Sequence, residues 1–197
     1  DNTRALALGD VDGDGDLDLA VGNYVIQNRV YLNDGDGTFD TLSYSFGTGS
    51  DWTSALGMGD VTGDGNLDLV VGNVLQNAVY TGNGDGTFAN SPIPFGTGTD
   101  NTKALALGDV DGDGDLDLAV SNSGEQKVVY AGDGAGNFAI AGTIGPVTDD
   151  TEALAIGDID GDGTPDLAVG NSGAGGGQNA VYFNRHAIFL PLVVKNY

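Results

Sequence analysis

A nine-residue acidic loop, Asp10-Val-Asp-Gly-Asp-Gly-Asp-Leu-Asp18, returns at Asp60 to Asp68, Asp109 to Asp117 and Asp158 to Asp166. The loop starts lie 50, 49 and 49 residues apart, and a period near 50 points to propeller blades or a solenoid. The first copy places acids at positions 1, 3, 5 and 9 and glycines at 4 and 6, so the backbone can curl the carboxylates around one point. Four carboxylates gathered this closely repel one another strongly in a medium less polar than water. The loop therefore calls for a hard cation, and Ca²⁺, which takes about six to eight oxygen ligands in tolerant geometry, meets the description.

The EF-hand also begins D-x-D-x-D-G, but it needs a bidentate acid at position 12 and a helix on either side. Here position 12 is Val21, Val71, Val120 and Val169, and the last acid arrives early, at Asp18, Asp68, Asp117 and Asp166. The flanks, Ala-Leu-Ala-Leu before and Leu-Ala-Val after, are too short and too alternating for helices. The EF-hand is excluded, and the loop sits between two strands.

Four strands per unit are expected. Ala5 to Leu8, Ala55 to Met58, Ala104 to Leu107 and Ala153 to Ile156 alternate Leu-like residues with Ala or Gly, as an inner strand crowded around an axis requires. The second strands are Leu19 to Val21, Leu69 to Val71, Leu118 to Val120 and Leu167 to Val169. The third carry Val30-Tyr31, Val79-Tyr80, Val129-Tyr130 and Val181-Tyr182. Asp-Gly turns follow, Asn33 to Phe39 in the first unit, and supply the positive φ that hairpins need. The fourth strands end in Phe46-Gly47-Thr48-Gly49 and Phe95-Gly96-Thr97-Gly98. Unit boundaries fall at 1–49, 50–98, 99–147 and 148–197, within one domain. The last unit departs from the pattern: its fourth strand is the apolar Ile188-Phe-Leu-Pro-Leu-Val-Val194, an edge that needs covering.

This spacing, with Asp at position 9 between two strands, resembles the calcium loops of FG-GAP/VCBS repeats, found in integrin alpha-chain propellers and many secreted bacterial proteins. The resemblance implies an all-β fold, a β-propeller of four four-stranded blades with one calcium loop per blade, and we expect the four blades to close one ring. It also implies the ligands. Site one takes side chains of Asp10, Asp12, Asp14 and Asp18 and the Asp16 carbonyl; site three takes Asp109, Asp111, Asp113 and Asp117 and the Asp115 carbonyl. Site four takes Asp158, Asp160, Asp162 and Asp166 and the Thr164 carbonyl. In site two Thr62 replaces the acid at position 3, leaving Asp60, Asp64, Asp68 and the Asn66 carbonyl, and this site is expected to be the weakest.

A net charge of −23 excludes ordinary nucleic-acid binding and attraction to anionic membranes, and four bound Ca²⁺ ions would not reverse its sign. No apolar run reaches the length of a membrane helix. With no cysteine, neither a disulfide framework nor a thiol nucleophile is available. Calcium-dependent sites of this kind fill outside cells, which implies secretion, and the chain reads as a mature form without a signal peptide. His186 is the only histidine and stands near no nucleophile motif, so an enzyme is not expected. Trp52 stands where the other units have Asn2, Asn101 and Asp150, and reads as a packing or contact residue rather than a sugar platform. The expected function is a secreted structural protein that self-associates as a homo-oligomer or polymer through its apolar tail, in a surface layer, matrix or filament. The alternative is an adhesion or carbohydrate-binding module that recognises a glycan or a cell-surface protein.

Overall fold

The computed structural model describes residues 2–147, 150–172, 177–185 and 189–192, with the backbone alone at 40–42 and 189–192. His186, Ile188 and the tail from residue 193 onward, singled out above, lie outside the described residues. Every described element is a strand, and no described helix is long and apolar enough to cross a membrane.

The first repeat is a four-stranded antiparallel sheet of β1 (Thr3–Gly9), β2 (Asp18–Asn23), β3 (Asn28–Asn33) and β4 (Phe39–Phe46) in sequential order. The last has the same order in β11 (Asp150–Gly157), β12 (Asp166–Ser172), β13 (Ala180–Asn184) and β14 (Phe189–Leu192). The apolar tail thus enters the sheet as its outermost strand, with Phe189 opposite Asn184 and Leu192 opposite Val181.

The middle of the chain differs from the expected two separate four-stranded sheets. It forms one six-stranded sheet, ordered β10-β9-β8-β7-β6-β5, from β5 (Thr53–Gly59), β6 (Asp68–Tyr80), β7 (Ile93–Gly108), β8 (Asp117–Asn122), β9 (Lys127–Gly132) and β10 (Phe138–Ile144). The reason is local. Val74 and Leu75, where the second repeat should turn, pair with Asn101 and Asp100, so the second and third strands run on as β6. The chain then bends inside β7 at Gly96 and Gly98, both at positive φ, instead of breaking.

The chain divides into two compact units, Asp1–Thr102 with Gly134–Asn137, and Lys103–Asp133 with Phe138–Tyr197. In the first unit Val11, Ala20, Val30, Phe46, Leu69, Val71, Ala78 and Tyr80 form the core, with Leu56, Met58 and Leu67 packed against it. The second is built alike from Val110, Ala119, Val129, Ile144, Leu167, Val169 and Tyr182, with Leu154 and Ile156 against it. The alternation has a packing cause in the first unit: Gly9 and Gly22 on one sheet leave room for Met58 and Leu56 of the next.

Candidate metal centre

Each acidic loop leaves the first strand of its repeat at a glycine and returns at the position-9 aspartate; Gly9 pairs with Asp18, Gly59 with Asp68 and Gly157 with Asp166. The loop closes on its position-1 carboxylate. Asp10 accepts the N–H groups of Gly13 at 2.7 Å, Asp14 at 3.1 Å and Gly15 at 3.0 Å. Gly13 and Gly15 sit at φ 77° and 97°, which turns those donors inward. Asp60, Asp109 and Asp158 each accept the two equivalent glycine N–H groups.

The position-9 aspartates are the anchors: all four are fully buried. Asp18 accepts Val11 N–H on one oxygen and Asn33 N–H, from the end of β3, on the other, both at 2.9 Å. Asp68 takes Val61 and Gly82, Asp117 takes Val110 and Gly132, and Asp166 takes Ile159 and Asn184. A carboxylate oxygen offers two acceptor sites, so each keeps capacity for a cation after these bonds. The aspartate read from sequence as a ligand is therefore also the staple between the acidic loop and the third strand.

Three of the four loops gather carboxylates. Asp10, Asp12 and Asp18, then Asp109, Asp111 and Asp117, then Asp158, Asp160 and Asp166 each bring one oxygen per residue to within 4.8 Å of one another. Oxygens on opposite sides of a Ca²⁺ at roughly 2.4 Å would stand about 4.8 Å apart, so each triad fits one such ion. The position-5 residues lie outside these triads; Asp14, Asp64, Asp113 and Asp162 instead accept the N–H of Asp16, Asn66, Asp115 and Thr164. In the second loop Thr62 donates its hydroxyl to Asp68 at 3.1 Å, where the other loops offer a second carboxylate.

The electrostatics favour a positive charge at these loops. Burial, and then the neighbouring carboxylates Asp18, Asp14 and Asp10, hold Asp12 above the usual carboxyl range. Burial likewise raises Asp68 and Asp117, against the pull of their backbone hydrogen bonds. The fourth loop has a partner the sequence reading missed. Arg185 donates to Asp160 Oδ2 at 2.7 Å and to Asp162 Oδ2, placing a guanidinium beside the triad. The Thr164 hydrogen bonds first, and then that charge, hold Asp162 below the usual range. The signal was present in the sequence: Arg185 is the one cation in the turn after the last third strand, where the first unit has Asp34.

A family model for an FG-GAP-like repeat matches residues 10–71, 60–120 and 109–169. Comparison with curated protein sequences finds no match. Among solved structures, BBS1N in complex with ARL6DN aligns over 96% of this chain and 53% of its own, at TM-score 0.59 and 12% identity. The Agrocybe aegerita lectin that recognises non-reducing terminal N-acetylglucosamine aligns over 93% and 50%, at TM-score 0.59 and 22% identity. The V. cholerae biofilm matrix protein Bap1 aligns over 93% and 28%, at TM-score 0.54 and 16% identity. The likeness is one of fold, and the chain spans about half the length of the first of these.

Proposed function

The chain belongs to the FG-GAP-like repeat family, and on that premise we propose that it is a calcium-binding structural protein of the extracellular space whose copies self-associate. The observation that carries the metal reading is the repeated triad, with three carboxylate oxygens within 4.8 Å around a fully buried position-9 aspartate. Each loop takes one Ca²⁺, about four per chain, through its position-1, -3 and -9 side chains, with the position-5 acid and position-7 carbonyl turning in as the ion binds. Site two is the weakest, because Thr62 supplies a hydroxyl in place of a charge. Calorimetric titration of the metal-free protein tests this: three tight ions and one weaker are expected, and an unchanged thermal unfolding curve after chelation would sink it.

The structural role is supported by the family and by the likeness in fold to a biofilm matrix protein. Each repeat acts as a propeller-type blade hardened by its ion. Negative-stain microscopy with and without chelator checks assembly, and particles that stay single at every concentration count against it.

A second reading, a carbohydrate-recognition module, rests on Trp52. It is 43% exposed, lies 5.0 Å from the Tyr24 ring, and borders a cleft of about 490 Å³ with Asp51, Asn73, Leu75 and Gln76. Leu75 holds φ 89°, a conformation that costs energy for a non-glycine residue and is typical of recognition sites. A glycan array with Trp52→Ala as control separates the two readings.

A further inference from the structure

The fourth acidic loop keeps a cation of the chain's own beside it. Its position-3 and position-5 acids each spend one oxygen on the loop backbone: Asp160 Oδ1 accepts the Asp162 N–H at 3.2 Å, and Asp162 Oδ1 accepts the Thr164 N–H at 3.0 Å. The other oxygen of each is left for a cation, and Arg185 takes both. Its Nη2 donates to Asp160 Oδ2 at 2.7 Å and its Nη1 to Asp162 Oδ2, a fork across the two carboxylates. Asp160 is a member of the triad with Asp158 and Asp166, so the fork covers a candidate ligand rather than a bystander. The guanidinium also lies over the Phe183 ring, 5.5 Å from its centre, which fixes the side chain on this side of the loop.

This arrangement sets the fourth loop apart. Among the described residues no ion pair reaches the other three. The residues that follow their third strands at the place of Arg185 are Asp34, Asn83 and Asp133, none of them basic. The position-7 residue changes as well, from Asp16 and Asp115 in the first and third loops to Thr164. With that turn residue included, the first and third loops each gather six carboxylates, whereas the fourth gathers four and one guanidinium. The fourth loop therefore carries less self-repulsion before any metal arrives.

We propose that Arg185 is the resident counter-ion of the fourth loop: it holds that loop closed when calcium is absent and is displaced when calcium binds. The inference rests on the calcium reading above and names what regulates one of its sites. A guanidinium and a divalent ion on the same Asp160 and Asp162 oxygens would repel each other, so one must leave. A site held part of the time by its own cation binds an external one with an affinity reduced by the fraction of time it stands open. The fourth loop is therefore the last of the three triads to fill, and it responds at calcium concentrations that already load the first and third. Arg185 is half-exposed, so the released side chain swings into water without unpacking a strand. Asp166 still accepts the Asn184 N–H at 3.0 Å, which keeps the end of β13 in place and confines the change to the arginine.

Calcium titration of the full chain followed by NMR tests this, because only three arginines contribute side-chain Nε–H signals. The Gly161 and Gly163 amides, both bonded to Asp158, report on the loop itself. The Arg185 signal should move in step with those two amides, and after the Gly13, Gly15, Gly112 and Gly114 amides of the first and third loops. Arg185→Ala should lower the calcium dissociation constant at the fourth loop about threefold to tenfold and leave the first and third unchanged. In metal-free protein the same variant should exchange its Gly161 and Gly163 amide hydrogens faster. Arg185→Lys, a point charge that cannot fork, should fall between alanine and wild type. An Arg185 signal that stays put while Gly161 and Gly163 saturate overturns the proposal, as does an alanine variant that binds calcium there no tighter than wild type. In both cases filling of the first and third loops leaves the calcium reading standing, whereas no response at any loop overturns the two together.

Discussion

At the scale of single residues, the position-9 aspartates have two tasks that substitution can separate. In Asp117→Asn an amide NH₂ must face either the Val110 or the Gly132 donor. We expect about 1–3 kcal/mol of destabilisation even without metal, together with loss of one bound ion, by chemical unfolding and calorimetry. Asp113→Asn, outside the triad, should cost much less stability. Arg185→Ala removes the guanidinium beside Asp160 and Asp162 and should tighten calcium at the fourth loop severalfold, read in the same titration. The raised carboxyls set a pH dependence. Asp68 and Asp117 have folded pKa values above their unfolded ones. Their contribution to stability is fully present below the ordinary carboxyl value and is lost as pH rises through the raised one. Metal-free protein therefore gains stability at these groups on mild acidification, whereas calcium-loaded protein loses it as protons displace the ion. Melting temperatures followed from neutral pH downward, with and without chelator, should converge.

At the scale of elements, two of the glycines that end first strands, Gly9 and Gly108, act as sockets. Gly108→Val should clash with Ile156, whose branched Cβ cannot swing away, and cost about 1–3 kcal/mol in denaturant unfolding. The sheets are also held by a polar seam that the sequence reading did not find. Asn28, 1% exposed, accepts Asn23 N–H and donates to Thr53, which in turn donates to Asn73. Asn77 likewise accepts Asn73 N–H, but it also accepts the Thr102 hydroxyl and donates its amide to Asp100. Isolated Asn and Thr residues between strands read as turn formers, so only their burial reveals that they satisfy one another inside the fold. The Phe-Gly-Thr-Gly turns have a similar local explanation: Asp51 accepts the Thr48 N–H and hydroxyl, and Asp100 does so for Thr97.

At the scale of the whole molecule, charge decides the balance. With 29 acids against 6 bases, the metal-free chain repels itself, and each ion bound as proposed would relieve that repulsion where the position-9 aspartate already joins the loop to the third strand. At a hundredfold excess of calcium over the dissociation constant, each site contributes about 2.7 kcal/mol. For a chain of this size each kcal/mol moves the melting temperature by about 2–4 °C. Chelation should therefore lower it by well over ten degrees in a calorimetric scan, with part of the loss recovered by monovalent salt.

The periodic acidic loop determined most of what this chain is. Its spacing alone excluded helices and placed strands on both sides, because those features depend only on residues near in sequence; the resemblance it carries implied ligands at positions 1, 3, 5, 7 and 9, of which the structure gathers the carboxylates of 1, 3 and 9 in three loops. Tertiary structure decided the rest. The pairing of Val74 and Leu75 with Asn101 and Asp100 joined two expected sheets into one. Arg185 met the fourth loop only because β13 delivers it there. Leu6 and Met58 share one pattern in the sequence, but one faces solvent and the other fills the socket at Gly9. Whether an apolar strand face is core or interface depends on what lies across from it, and that is set by contacts between repeats rather than by the pattern within one.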